Sequence, residues 1–86
     1  MADSIDETME KQGEIVEKTE IKTSSRDYII YLIGMPCNSY SVQRIKILNG
    51  TGEYEVEEKI ILKNQHMEEK AKYAFQNMVI KTKFGR

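Results

Sequence analysis

One histidine, one cysteine and a short run of glutamates are the residues of this 86-residue chain whose chemistry most needs an explanation. His66 and Cys37 are each the single member of their type. One of each supplies neither the ligand set of a zinc site nor the nucleophile, base and orienting group of a covalent catalyst. His66 stands where a helix is about to start and reads as a cap or surface residue; Cys37 sits in the loop P-C-N-S. The glycines of N-G-T-G-E lack the lysine and the following helix that a phosphate-binding loop requires. Residues 53–58, E-Y-E-V-E-E, hold four glutamates in six positions. They alternate with apolar residues, so they line a strand face instead of converging into a carboxyl pair of raised pKa. The expectation is recognition without catalysis: no enzyme activity, no metal and no cofactor.

Charge separates along the chain although the net value is −1. Residues 1–20 carry Asp3, Asp6, Glu7, Glu10, Glu14, Glu17 and Glu20 against Lys11 and Lys18, a balance of −5. Residues 59–86 carry Lys59, Lys63, Lys70, Lys72, Lys81, Lys83 and Arg86 against Glu68 and Glu69, a balance of +5. Such a chain can offer its basic end to nucleic acid, its acidic end to a basic protein, or fold one end onto the other. A lone cysteine suits a reducing compartment. The longest apolar run, Tyr28 to Met35, is far short of a bilayer span, and M-A-D-S-I-D-E-T has neither region of a signal peptide. A cytosolic soluble protein is expected, in the host cell if the gene is carried by a phage.

The elements that would position these charges follow from periodicity. A chain of this length makes one small domain, burying roughly 60% of its unfolded surface. Residues 1–25 have few large apolar residues and read as an acidic flexible tail. The spacing of Ile5, Met9 and Val16 allows a short helix over 4–12, and E-I-V-E-K-T-E-I-K is equally readable as a frayed strand. D-Y-I-I-Y-L-I-G, from Asp27, is apolar on both faces and predicts a central strand, ended by Gly34 and Pro36. Residues 40–48 fit either strand or helix. Asn49-Gly50-Thr51-Gly52 favours a tight hairpin turn, and so favours strand. Tyr54, Val56, Ile60 and Leu62 are expected on one face of the next strand, opposite Glu53, Glu55, Glu57, Lys59 and Lys63. Glu58 falls out of step with that pattern and marks a bulge or a departure from the core. Met67, Ala71, Ala74, Phe75, Met78 and Val79 predict a closing helix capped near Asn64, with Tyr73 beside Phe75 on the core side. The fold class is therefore α+β over 26–86: a three-stranded antiparallel sheet packed against a C-terminal helix.

Two resemblances bear on function. The stretch D-Y-I-I-Y-L-I-G, then N-G-T-G-E-Y-E-V-E, then E-K-A-K-Y-A-F-Q-N is similar to the core of a small phage anti-CRISPR protein over about residues 27–79. That likeness implies an inhibitor of a type II CRISPR effector nuclease, imitating nucleic-acid charge where the nuclease reads DNA with arginines. It implies partner-binding roles for Asp27, Asn49, Gly50, Thr51, Gly52, Glu53, Glu55 and Glu57. Thr51 stands where that family's loop has an aspartate, and K-T-K-F-G-R replaces its acid-rich segment. Separately, L-I-G-M-P…Y-S-V-Q-R-I-K-I-L-N-G resembles the opening of Alba-type chromatin proteins. That likeness implies nucleic-acid binding, and the basic C-terminal region independently offers Lys70, Lys72, Lys81, Lys83 and Arg86 as phosphate contacts with Tyr73 and Phe84 for stacking. The expected partner is a host protein with a basic nucleic-acid-binding surface, or nucleic acid itself in the alternative. No membrane partner is expected, and the chain is read as a monomer or small homo-oligomer. A further alternative is an accessory subunit of a larger complex.

Overall fold

The computed structural model describes residues 2–24, 26–36, 38–48, 53–63 and 68–84. Its elements run α1 (Ala2–Glu10), β1 (Glu14–Lys22), β2 (Asp27–Met35), β3 (Ser39–Leu48), β4 (Glu53–Leu62) and α2 (Glu68–Phe84). The strands form one antiparallel sheet in the order β1-β2-β3-β4. The α+β class and the C-terminal helix match expectation; the sheet has four strands instead of three.

The extra strand comes from the acidic N-terminal segment, where α1 also forms. Isolated, that segment has too few apolar residues to bury. Against β2 it gains a full ladder, from Glu14 opposite Gly34 to Lys22 opposite Asp27. Its apolar residues are sparse because β1 is an edge strand, with only Ile21 buried. Gly13 makes the joint between α1 and β1. A Cβ there would overlap the backbone carbonyl of Gly34, so only glycine permits this approach of the two chains.

The two helices cover opposite faces of the sheet. Ala71, Phe75 and Met78 of α2 pack on Ile21, Ile30, Leu32 and Val42. Ile5 and Met9 of α1 pack on Ile29, Tyr31, Ile33 and Ile45. This explains why β2 is apolar on both faces: Ile30 to Ile33 are all fully buried, each side chain under one helix or the other. Residues 40–48 lie within strand β3, paired along their length with β2 and β4. The proposed turn, Asn49 to Gly52, lies outside the described residues, as do the cap Asn64 and Met67, but Leu48 opposite Glu53 shows that β3 and β4 form a hairpin.

Two corrections follow from packing. Ile45 pairs with Val56 while the preceding Arg44 pairs with Glu58, so Glu57 is an extra residue and β4 is bulged there. The bulge resolves the misfit of Glu58 and changes faces. Tyr54 joins the α1-side cluster, whereas Ile60 and Leu62 join the α2-side cluster. The single apolar face expected for β4 is thus two half-faces, and Lys59 lies on the α1 side. In α2, Phe75 is core but Tyr73 is 68% exposed, because it points away from the sheet.

Candidate partner-binding surface

The glutamate row does not face bare water. β3 presents Arg44 and Lys46 on the α2 side, opposite Glu58 and Glu55 respectively. Arg44 Nη2 lies 3.5 Å from Glu58 Oε1, and Nε lies 3.2 Å from Glu57 Oε1. That Nε is buried and makes no aligned hydrogen bond, so its attraction to Glu57 is electrostatic only. Lys46 Nζ reaches Glu55 at 3.4 Å and Glu57 at 3.7 Å. Lys81 of α2 reaches Glu58 at 3.3 Å, and Arg44 Nη1 donates to the Thr82 hydroxyl at 3.3 Å. Arg44 also stands 5.9 Å from the Tyr28 ring centre. The bulge at Glu57 is what lets three consecutive acids, counted on the α2 side as Glu55, Glu57 and Glu58, share two strand cations. The Glu55 and Lys81 partners are exposed and their pairs contribute about 0–1 kcal/mol each, whereas Arg44, Lys46 and Glu57 are half-buried and hold the row more firmly.

The predicted residues do not all meet. Glu53 and Glu55 point to the α2 side. Asp27, opposite Ile47 and in the same alternation as Ile29 and Tyr31, lies on the α1 side, half-buried. It shares an end of the sheet with the hairpin but not a face. Asn49, Gly50, Thr51 and Gly52 lie outside the described residues.

Most of the exposed, unbridged acid is elsewhere. Glu7, Glu10, Glu14, Glu17 and Glu20 are exposed, and among the described residues none of them forms an ion pair. The bulge in β1 between Ile15 and Glu17 sets Glu14 and Glu17 opposite Gly34 and Leu32, both on the α2 side. Asp6 is the exception in this segment and works inward. It accepts the Tyr31 hydroxyl proton at 2.5 Å and pairs with Lys18 Nζ at 3.0 Å. The Tyr31 bond, opposed by partial burial and helped by Lys18, holds the Asp6 carboxyl below its ordinary pKa. Burial, then Asp6, pushes the Tyr31 phenol well above its own.

The basic end is partly used up. Lys72 pairs with Glu68 at 3.3 Å and Lys81 with Glu58, while Lys70 and Lys83 are exposed and form no ion pair among the described residues. Tyr73, Ile80 and Phe84, at spacings of seven and four, form an exposed stripe opposite the core side of α2. Arg86, His66 and Cys37 lie outside the described residues. Among the described residues, none of 2–22 is seen in an ion pair with α2.

Sequence reading missed Arg44 and Lys46 as partners of the glutamates. The signal was present as R-I-K-I facing E-Y-E-V across one turn, since residues opposite in a hairpin share a face. It also missed the inward role of Asp6, for which no local signal exists. Among the described residues, no group of three or more His, Cys, Asp and Glu is placed to hold a metal ion, and no helix is long and apolar enough to cross a membrane. No known protein family, curated protein or solved structure matches this chain.

Proposed function

We propose that this protein is a non-enzymatic binding protein that offers carboxylates to a basic, nucleic-acid-binding surface of a partner protein, as a phage-type inhibitor of a defence nuclease would. The observation that carries the reading is the charge segregation. Among the described residues, five exposed glutamates of α1 and β1 form no ion pair, although the chain holds enough lysines to neutralise them. Exposed like charges repel, and an α1–β1 segment that carries them along one edge of the sheet, Glu17 on one face and Glu20 on the other, is suited to a cationic partner that adds counter-charge. The hairpin glutamates contribute in a different way: the exposed Glu55 can exchange Lys46 for a partner's arginine at little cost, while the half-buried Glu57 stays with Arg44 and Lys46.

The test is cleavage of target DNA by a purified type II CRISPR effector nuclease, with the wild-type protein and two charge-reversed variants. Glu14, Glu17 and Glu20 to lysine, and Glu53, Glu55 and Glu57 to lysine, should each relieve inhibition while leaving the circular dichroism unchanged. Affinity capture from host lysate covers other DNA-binding targets. Capture or inhibition indifferent to both reversals would sink the proposal.

A second reading has one observation of its own. Tyr73 and Phe84 are 68% and 76% exposed, with Lys70 and Lys83 beside the same stripe. Aromatic faces flanked by lysines suit single-stranded nucleic acid. A gel shift at low salt, lost on Tyr73→Ala with Phe84→Ala, is its signature; no shift with the wild type disposes of it.

A further inference from the structure

We infer that β4 is the contact strand of a symmetric homodimer, joined to β4 of a second copy in antiparallel register about Ile60. The inference rests on different observations from the acidic-surface reading, although both draw on the acidic half of β4.

The strand order leaves two open edges, β1 and β4. They are not equivalent. The exposed large apolar residues that lie on strands, Val56 at 46% and Ile61 at 45%, are both on β4. The exposed residues of β1 are Glu14, Glu17, Glu20 and Lys22, and its ladder is broken near Glu17. Charged residues and a bulge are how a solvent-facing edge is kept from pairing. β1 has both devices across its length. β4 has its bulge at Glu57, and the five residues beyond it, Glu58 to Leu62, run straight with apolar side chains on both faces. On the α2 side, Ile60 forms the floor of an open groove of about 240 Å³ with Ala74 and Met78, rimmed by Glu58, Asn77 and Lys81. On the α1 side, Ile61 belongs to neither buried cluster. An edge strand with apolar groups above, below and along it is unfinished.

A second copy fits the vacancy by charge. β4 is acidic in its first half (Glu53, Glu55, Glu57, Glu58), and Lys59 and Lys63 follow. Parallel pairing would set acids beside acids. Antiparallel pairing brings Lys63 of each copy toward the acidic half of the other strand. The register is then selected by what meets on the axis. Residues directly opposite share a face, and like charges opposite each other are unfavourable. An axis at Glu58 opposes two glutamates, one at Lys59 opposes two lysines, and one at Ile61 opposes Lys59 to Lys63. An axis at Ile60 opposes Ile60 to Ile60, Glu58 to Leu62 and Lys59 to Ile61, with no like-charge pair. It also joins the two grooves through the paired Ile60 side chains and covers part of Ile61.

Sedimentation equilibrium of the full chain over a wide concentration range tests the inference. The wild type should reach twice the 10.0 kDa chain mass. Ile61→Lys, which touches neither core cluster, should return the mass to monomer with an unchanged melting curve. In a Cys37→Ser background, Ile60→Cys should form a disulfide-linked dimer on oxidation. Residues opposite on the axis have Cα atoms about 4.5–5.5 Å apart, within disulfide reach. Lys59→Cys alone should not, because its symmetry mate is displaced two residues along the strand. A wild type that stays monomeric at every concentration overturns the inference. So does a dimer that persists in Ile61→Lys and cross-links through Lys59→Cys in place of Ile60→Cys.

Discussion

Replacing Tyr31 by phenylalanine isolates one hydrogen bond and asks what fastens α1 to the sheet. α1 spans nine residues and buries Ile5 and Met9, too short to be stable alone. Its charged polar attachment is the Tyr31 hydroxyl on Asp6, with Lys18 on the same carboxylate and 5.9 Å from the Tyr31 ring centre; the Tyr54 hydroxyl donates more loosely to Thr8 at 3.4 Å. A hydrogen bond to a charged group is worth about 1.5–3 kcal/mol. The Asp6 side chain is 30% exposed, so water replaces part of the lost bond, and about 1–2 kcal/mol should remain. For a domain of this size that lowers Tm by roughly 5–12 °C.

The pH dependence separates this mechanism from simple packing. Asp6 has a depressed pKa in the fold, so its contribution is present above the ordinary value of 3.8 and is lost as pH falls below it. Tyr31 has a raised pKa, so its contribution is present below 10.0 and is lost as pH rises above that. The gap in Tm between wild type and Tyr31→Phe should therefore be widest between those limits and close at both ends. Thermal unfolding followed by circular dichroism across that range measures it, and the Asp6→Ala, Tyr31→Phe double-mutant cycle should show coupling of about 1–2 kcal/mol. A gap that does not change with pH, or strict additivity in the cycle, refutes the argument.

Two further perturbations address the rest of the fold. Phe75→Ala removes the largest side chain that α2 buries and should cost about 3–5 kcal/mol in urea unfolding, enough to unfold much of so small a domain. A cost below about 1 kcal/mol would mean that α2 is not docked as described. Gly13→Ala forces the α1–β1 joint away from the Gly34 carbonyl and should cost about 1–3 kcal/mol, with faster amide exchange in β1 as the local readout. Unchanged exchange there would show that β1 does not depend on that approach.

The alternation of residues 53–63, the two-faced apolarity from Asp27 and the three-four spacing from Ala71 to Val79 are local patterns. They determined β4, β2 and α2 before any contact was known, because burial imposes a period on each kind of element. The out-of-step Glu58 marked the place as a bulge or a departure from the core, and the ladder shows a bulge one residue earlier, at Glu57. What remained depended on which element lies next to which. Residues 14–22 become a strand because β2 offers an edge, and α1 is held by Ile5 and Met9 on the sheet together with Tyr31 and Lys18 beneath Asp6. The bulge at Glu57 then sent Tyr54 to one face and Ile60 to the other, so one local irregularity redistributed a whole strand. The acidic surface shows the same division. That the chain carries clustered acids was legible from composition. Which acids are bridged was not, since Arg44 and Lys46 pair with the hairpin row by strand register, while Glu14, Glu17 and Glu20 form no ion pair among the described residues. Electrostatic attraction acts between neighbours in space, and only the tertiary structure says who those neighbours are.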